Sequence, residues 1–188
     1  NHFLTERYDR QNGEKIHVLT LAAINPEVDS YEGLFDTAFE LNVPEKEIKE
    51  LFRRMVFNVM GANVDDHIKN FSFMMEKDGS WHITPAYDMM FTVNIGGMRY
   101  DNCHSMTICG KKENIEIEDL QDFANMYAIK NANKIIDEVA NSISHFRSLA
   151  TSNGVDEYWI DKIEEYLQEL VPEKYRETMK GYMPTIVE

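Results

Sequence analysis

Asp65 and Asn70 stand five residues apart in the stretch Asn63-Val64-Asp65-Asp66-His67-Ile68-Lys69-Asn70-Phe71-Ser72-Phe73, and Asp88 follows twenty-three residues after Asp65. A phosphoryl-transfer site needs a carboxylate to orient an attacking hydroxyl and accept its proton. It also needs oxygen ligands for Mg²⁺, usually a second carboxylate and an amide. Asp65, Asp88 and Asn70 are the residue types that fill those three roles. Protein kinases use the same Asp-x-x-x-x-Asn spacing in their catalytic loop and place a metal-binding Asp just past a short hairpin. Here no His-Arg-Asp precedes, and the later position reads Tyr87-Asp88-Met89. Taken alone, Asp65 reads more readily as a turn residue bonded to local backbone.

Such a loop works only if rigid elements hold it. Upstream, Ile48, Leu51, Phe52, Met55, Val56, Val59 and Met60 recur at helical spacing and predict a helix from Glu45 to about Gly61, with Pro44 in its first turn. Downstream, Phe71, Phe73 and Met75 alternate as in a strand, and residues 71–75 and 81–84 flank Lys77-Asp78-Gly79-Ser80, a hairpin. Nearer the start, residues 3–8 and 15–19 flank Gln11-Asn12-Gly13-Glu14, a second hairpin signal. The apolar run 18–24 suits a buried strand or the start of a helix. Ser30 is placed to cap a helix through Glu40 with Tyr31, Leu34, Phe35, Ala38 and Leu41 on one face. Residues 89–110 are irregular. Beyond Glu116 the pattern is helical over 117–128, 132–150 and 156–170, with Asn153-Gly154 between the last two and Pro172 opening a tail helix. The expected fold is mainly α with two small β-hairpins in one domain: a hairpin over 1–20, a core over 28–112 and a helical part over 115–182.

Asp65, His67, Lys69, Asn70, Phe71 and Ser72, followed by Thr84, Pro85, Tyr87 and Asp88, form a pattern that resembles the HipA family of bacterial serine/threonine kinases, the toxins of HipBA-type toxin–antitoxin modules. Glu6-Arg7-Tyr8-Asp9-Arg10 and Met106-Thr107-Ile108-Cys109-Gly110-Lys111 agree with the same family in the same order, so the resemblance runs from about residue 3 to about 170. It implies the C-terminal, larger lobe of a protein-kinase-like fold, with ATP and Mg²⁺ as cofactors. The acceptor it implies is a hydroxyl of a protein substrate, part of the translation machinery in the best-known relatives. The resemblance makes Asp65 the catalytic base and gives Asn70 and Asp88 the metal. Lys69 would neutralise charge on the transferred phosphate. Glu6 and Tyr8 fall where the interlobe hinge meets adenine, and His67, Asn70 and Tyr87 line the nucleotide side. A HipB-like, DNA-binding antitoxin is the implied partner. The family's glycine-rich loop and strand lysine lie upstream. Only five residues precede Glu6 and the chain opens on Asn1 without Met, so it reads as a catalytic lobe without its N-terminal ATP-clamping lobe, inactive alone.

Other readings compete. A catalytically silent interaction domain with a kinase fold would keep the architecture without needing the intact Asp65, Asn70 and Asp88 set. A metal-dependent phosphohydrolase would use Asp65, His67 and Asp88, although such sites usually carry more ligands. Lys69 reads otherwise as a solvated loop residue, His67 as a structural hydrogen-bonder, and Glu6 and Tyr8 as parts of a plain strand. Asp66, beside Asp65, is expected to point to solvent. Cys103, His104 and Cys109 lack a fourth ligand at zinc spacing. Met89, Met90, Met98 and Met106 suit adaptable packing in a mobile segment. Arg7, Asp9 and Arg10 read as surface ion pairs, and the acidic run from Glu113 to Asp122 as a solvated helix face.

The whole-chain bounds agree. The 188 residues suffice for one domain with a substantial core, and 43% hydrophobic with 11% aromatic residues describe a globular protein. A net charge of −14 argues against direct nucleic-acid binding or an anionic membrane surface as partner, while leaving a locally positive ATP site open. Two cysteines make no disulfide framework and fit a reducing cytoplasm. No apolar run reaches membrane-spanning length.

Overall fold

The computed structural model describes residues 4–97 and 102–180. Phe3, Met98 and residues 181–182, which enter the sequence expectations, lie outside the described residues. Among these, eight helices surround two small antiparallel sheets.

The first sheet is the hairpin of β1 (Arg10–Gln11) and β2 (Glu14–Lys15), closed by Asn12 and Gly13, both at positive φ. Two successive left-handed residues match strand twist, which is why Asn-Gly makes tight hairpins. This hairpin is shorter than expected: residues 4–8 form no strand, and the run 15–19 divides. Its later part, β3 (His17–Thr20), leaves the hairpin and pairs with β4 (Ser72–Met75), which in turn pairs with β5 (Trp81–Ile83). The hairpin expected over 71–84 is thus β4–β5, widened to three strands by β3. Phe73, fully buried, sits between Leu19 and Ile83 in register. The apolar side chains of a four-residue strand need neighbours on both sides to escape water, and β3 supplies one.

After α1 (Leu21–Ile24), Ser30 caps α2 (Tyr31–Glu40) by accepting from the Gly33 amide, as the sequence suggests. α3 (Glu45–Met60) buries the expected stripe and adds Asn58 to it. Tyr31, Leu34, Phe35 and Ala38 of α2 join that stripe, with Phe123 packed edge-on against Phe35 at 4.9 Å. Each such side chain is worth about 1.5–3 kcal/mol when removed from water.

The helical part follows as α4 (Ile117–Met126), α5 (Ala132–Ser144), α6 (Phe146–Ser152), α7 (Glu157–Leu170) and α8 (Glu173–Lys180). One helix expected over 132–150 is two. The Asn141 carbonyl takes hydrogen bonds from Ser144 Oγ at 2.7 Å and from the His145 ring at 2.7 Å, and side chains that occupy a backbone acceptor compete with the helical ladder. The acidic run is only partly a solvated face. Asp119 is buried, bonds Lys111 and closes a capping box with Glu116. Burial opposes its ionisation, but the Glu116 amide and Lys111 outweigh that and hold the carboxyl below its ordinary range. Met106 also departs from expectation, being buried core beside Ile108, whereas Met90 is exposed. Arg7 and Arg10 do pair with Asp9 on the surface.

Candidate active site

The loop begins where α3 stops. The Ala62 amide bonds the Val59 carbonyl at 3.4 Å and the Asn63 amide bonds the Asn58 carbonyl at 2.9 Å, with Ala62 left-handed at φ 55°. That is a Schellman ending, usually made with glycine because a β-carbon costs about 1–2 kcal/mol in this conformation. Gly61, just before, lies so close to the helix that an added β-carbon would stand 2.7 Å from the Phe57 carbonyl oxygen. The helix therefore ends at one defined point and delivers Asn63.

Two further clamps fix the loop. Thr92 Oγ1 accepts from the amides of Val64 at 2.8 Å and Asp65 at 3.2 Å, and the Thr92 amide bonds the Ala62 carbonyl. On the other side, the chain leaving β3 binds the loop's end: the Leu21 amide reaches the Phe71 carbonyl at 2.8 Å and the Ala22 amide the Ile68 carbonyl at 3.2 Å. Within the loop, Asn70 Nδ2 donates to the Asp65 carbonyl at 2.9 Å. An amide whose nitrogen is engaged this way offers its oxygen to a ligand.

Asp88 is the second left-handed non-glycine residue here, at φ 53°, and its carbonyl accepts from Asn63 Nδ2 at 3.4 Å. Strained backbone of this kind is characteristic of functional sites. Asn70 and Asp88 line one narrow cleft together with Asn58, Asn63, Arg54 and Tyr87, with room of about 10 Å³. That is the space of a single water-sized body. Asp65 is not among the residues lining the cleft; its side chain is 60% exposed, 3.9 Å from His67 Nε2. The buried Nδ1 of His67 has no hydrogen-bond partner. Lys69 is exposed at its side chain, while its carbonyl accepts from Tyr87 OH at 2.8 Å. That engagement makes Ser72 Oγ the donor in its 2.5 Å contact with Tyr87 OH. Burial raises the Tyr87 phenol above its ordinary range, keeping it a donor. Tyr8 stacks on Tyr87 at 6.2 Å, which brings one expected hinge residue to the site from outside any strand. Glu6 is exposed and likewise in no strand.

Asp66 overturns the solvent-facing expectation. Its carboxylate is fully buried and accepts from Tyr31 OH at 2.7 Å, from His104 Nδ1 at 2.8 Å and from the Ser105 amide at 2.8 Å. Tyr31 and His104 stand 35 and 38 residues away in sequence, beyond any local pattern. Asn58 continues the network by donating to Tyr31 OH at 2.9 Å. A polar residue inside an apolar helical stripe was the legible signal for Asn58. The same contact withdraws His104 from the weak zinc triad, and no group of three or more His, Cys, Asp or Glu side chains is placed to hold a metal among the described residues.

An Mg²⁺ ion bound with nucleotide phosphates needs few protein ligands, because it keeps phosphate oxygens and waters in its octahedron. Asn70 and Asp88, an amide oxygen and a carboxylate on one cleft, fit that demand.

The HipA-like C-terminal domain family matches residues 1–146. A chain of the Shewanella oneidensis MR-1 toxin–antitoxin complex of HipA, HipB and operator DNA shares the fold with a TM-score of 0.64 at 19% identity, over 94% of this chain. The match covers 47% of that chain, so the present chain spans about half the length of this solved relative. No curated protein sequence matches. With the family match extending over residues 1–146 of 188, the chain belongs to the HipA-like C-terminal domains.

Proposed function

We propose that this chain is the catalytic half of a HipA-like serine/threonine kinase that transfers phosphate from Mg-ATP to a protein hydroxyl. The domain would then correspond to the larger lobe of a kinase-like fold. The observation that carries the reading is the shared cleft of Asn70 and Asp88, with Asp88 held left-handed. In this reading Asp65 orients the acceptor hydroxyl and takes its proton, its exposure leaving it open to a protein substrate. Asn70 and Asp88 hold Mg²⁺, which supplies neutralisation of the phosphate oxygens when bound. Lys69 adds a positive charge beside Asp65. Tyr8 stacked on Tyr87 gives an aromatic edge toward the nucleotide. Glu6 is assigned to the same edge only by family resemblance. His67 is likewise assigned to the nucleotide side by family resemblance, its Nδ1 being buried and without a partner. A HipB-like antitoxin is the natural partner class, by analogy with the HipA–HipB complex, and the cytoplasm the natural compartment. No described helix is long and apolar enough to cross a membrane.

The deciding experiment is calorimetry of Mg²⁺-dependent ATP binding by this chain and by the full-length gene product. Binding by the full-length product, lost in Asp88→Ala, is expected. Failure of both to bind, with the fold intact, would favour a silent interaction domain.

A further inference from the structure

Five polar side chains lie buried in a continuous line through the domain. Asp66 accepts from His104, the Ser105 amide and Tyr31; Tyr31 OH accepts from Asn58 Nδ2; Asn58 Oδ1 accepts from Asn63 Nδ2 at 2.9 Å; and Asn63 Nδ2 reaches the Asp88 carbonyl. Asp66 and Tyr31 are wholly buried, and Asn58, Asn63 and His104 nearly so. A second branch is backbone. Ser105 donates its amide and its hydroxyl to the Val64 carbonyl at 3.0 and 3.2 Å, and Val64 is the residue before Asp65.

Chemistry settles the proton positions. An ionised carboxylate only accepts, so Tyr31 donates and His104 carries hydrogen on Nδ1. Burial, reinforced by the Asp66 charge, holds the Tyr31 phenol well above its ordinary range, so it remains a donor. Every bond in the line has one possible direction, and a fully satisfied buried network of this kind specifies one arrangement. For stability alone, well-packed apolar side chains would serve as well or better. What distinguishes this line is where its ends are. One lies beside Asp65 and the other at the strained backbone of Asp88.

We propose that Asp66 is a positioning residue: it ties the segment carrying His104 and Ser105 to the loop carrying Asp65 and to Asp88, so that order in that segment sets the geometry of the site. The inward turn of Asp66 leaves its neighbour Asp65 outward, available to substrate. The segment is itself anchored, by the Tyr31 amide on the Thr107 carbonyl at 2.9 Å and by the Thr107 amide on the Asp29 carbonyl at 2.9 Å, and it is braced internally by Lys112 Nζ on the Ser105 carbonyl at 3.0 Å. A protein that grips or releases residues 102–112 would therefore change the site without touching it. The proposal rests on the reading of Asp65 and Asp88 as a phosphoryl-transfer pair.

The test compares Asp66→Ala, Asp66→Asn and Tyr31→Phe in the full-length gene product, by amide hydrogen exchange and by steady-state kinetics. In Asp66→Ala, exchange over 63–70 and 102–108 is expected to rise together by about tenfold while that of α5 stays unchanged, the signature of a local opening unit. The kcat is expected to fall roughly tenfold or more, with KM for ATP within about threefold. Asp66→Asn, which keeps an acceptor for the Ser105 amide, is expected to recover most of both. If Asp66→Ala fails to fold, Asp66→Asn and Tyr31→Phe are read by the same criteria at smaller amplitude. Exchange that rises around 102–108 alone, with 63–70 and kcat unchanged, overturns the proposal. If the unaltered protein transfers no phosphate, the reading of the site fails instead, and exchange alone decides the coupling.

Discussion

Two polar clusters of the same size do opposite work in this domain. Around Asp66 one carboxylate is surrounded by three donors, wholly out of water. Around Arg147 one guanidinium is surrounded by three carboxylates: Glu164 and Glu157 at 2.6 Å and Asp161 at 2.5 Å, with Arg147 14% exposed at its side chain. The first lies within the residues matched by the HipA-like family and joins segments far apart in sequence. The second begins one residue past that match and fastens α6 to α7, its neighbour in sequence. Asp161 first, then Glu164 and Glu157, raise the Arg147 guanidinium above its already high range, with burial opposing them. The guanidinium therefore keeps its charge, and the cluster is a clasp. A carboxylate amid hydrogen-bond donors fixes directions; a cation amid several anions supplies attraction. The inner network holds the loop of the proposed site, and the outer one holds a helical hairpin.

That contrast predicts a separation of effects. The largest belongs to the site: Asp65→Ala or Asp88→Ala in the full-length gene product should lower phosphoryl transfer by about 10²–10⁴-fold, the usual worth of a positioned base, with an unchanged melting temperature. Retained transfer in both would break the assignment. Next, Arg147→Ala should destabilise the domain by about 2–4 kcal/mol in denaturant titration, because buried Glu164 loses its partner. Mg-ATP binding should not change, and a loss of binding would mean that the two clusters communicate. Tyr31→Phe should cost about 1–2 kcal/mol, the price of leaving Asp66 and Asn58 one partner short.

The smallest effect is a pH dependence away from both clusters. The Glu47 hydrogen bond raises the His82 imidazole above its ordinary 6.5, against some burial, with Glu47, Glu76 and Asp78 charges adding to it. A group raised on folding stabilises below its unfolded pKa and loses that contribution as pH rises through the folded value. The stability gap between the wild type and His82→Gln should therefore be present below pH 6.5 and close above it, at no more than about 1 kcal/mol. A gap that widens with rising pH would refute the Glu47 pairing.

Much of the fold was readable locally. The stripe from Ile48 to Met60, the Ser30 cap, the β4–β5 hairpin and the Asp65/Asn70 loop all depend on residues within a few positions of one another. Periodicity and capping express forces of that range. The departures have two causes, one long-range and one local. β3 left its own hairpin for β4, more than fifty residues on, because Phe73 needed cover on its open side. The helix over 132–150 broke at His145 because two side chains took the Asn141 carbonyl.

The amino-acid sequence by itself determined the family, the helices and the loop that carries Asp65, Lys69 and Asn70. Only the tertiary structure decided which of two adjacent aspartates faces inward. A loop has no periodicity to set that choice. It fell to Tyr31, His104 and Ser105, which reach Asp66 only after α2 and the 102–112 segment have packed around α3. A carboxylate can be buried only where donors converge on it, and their convergence belongs to the fold.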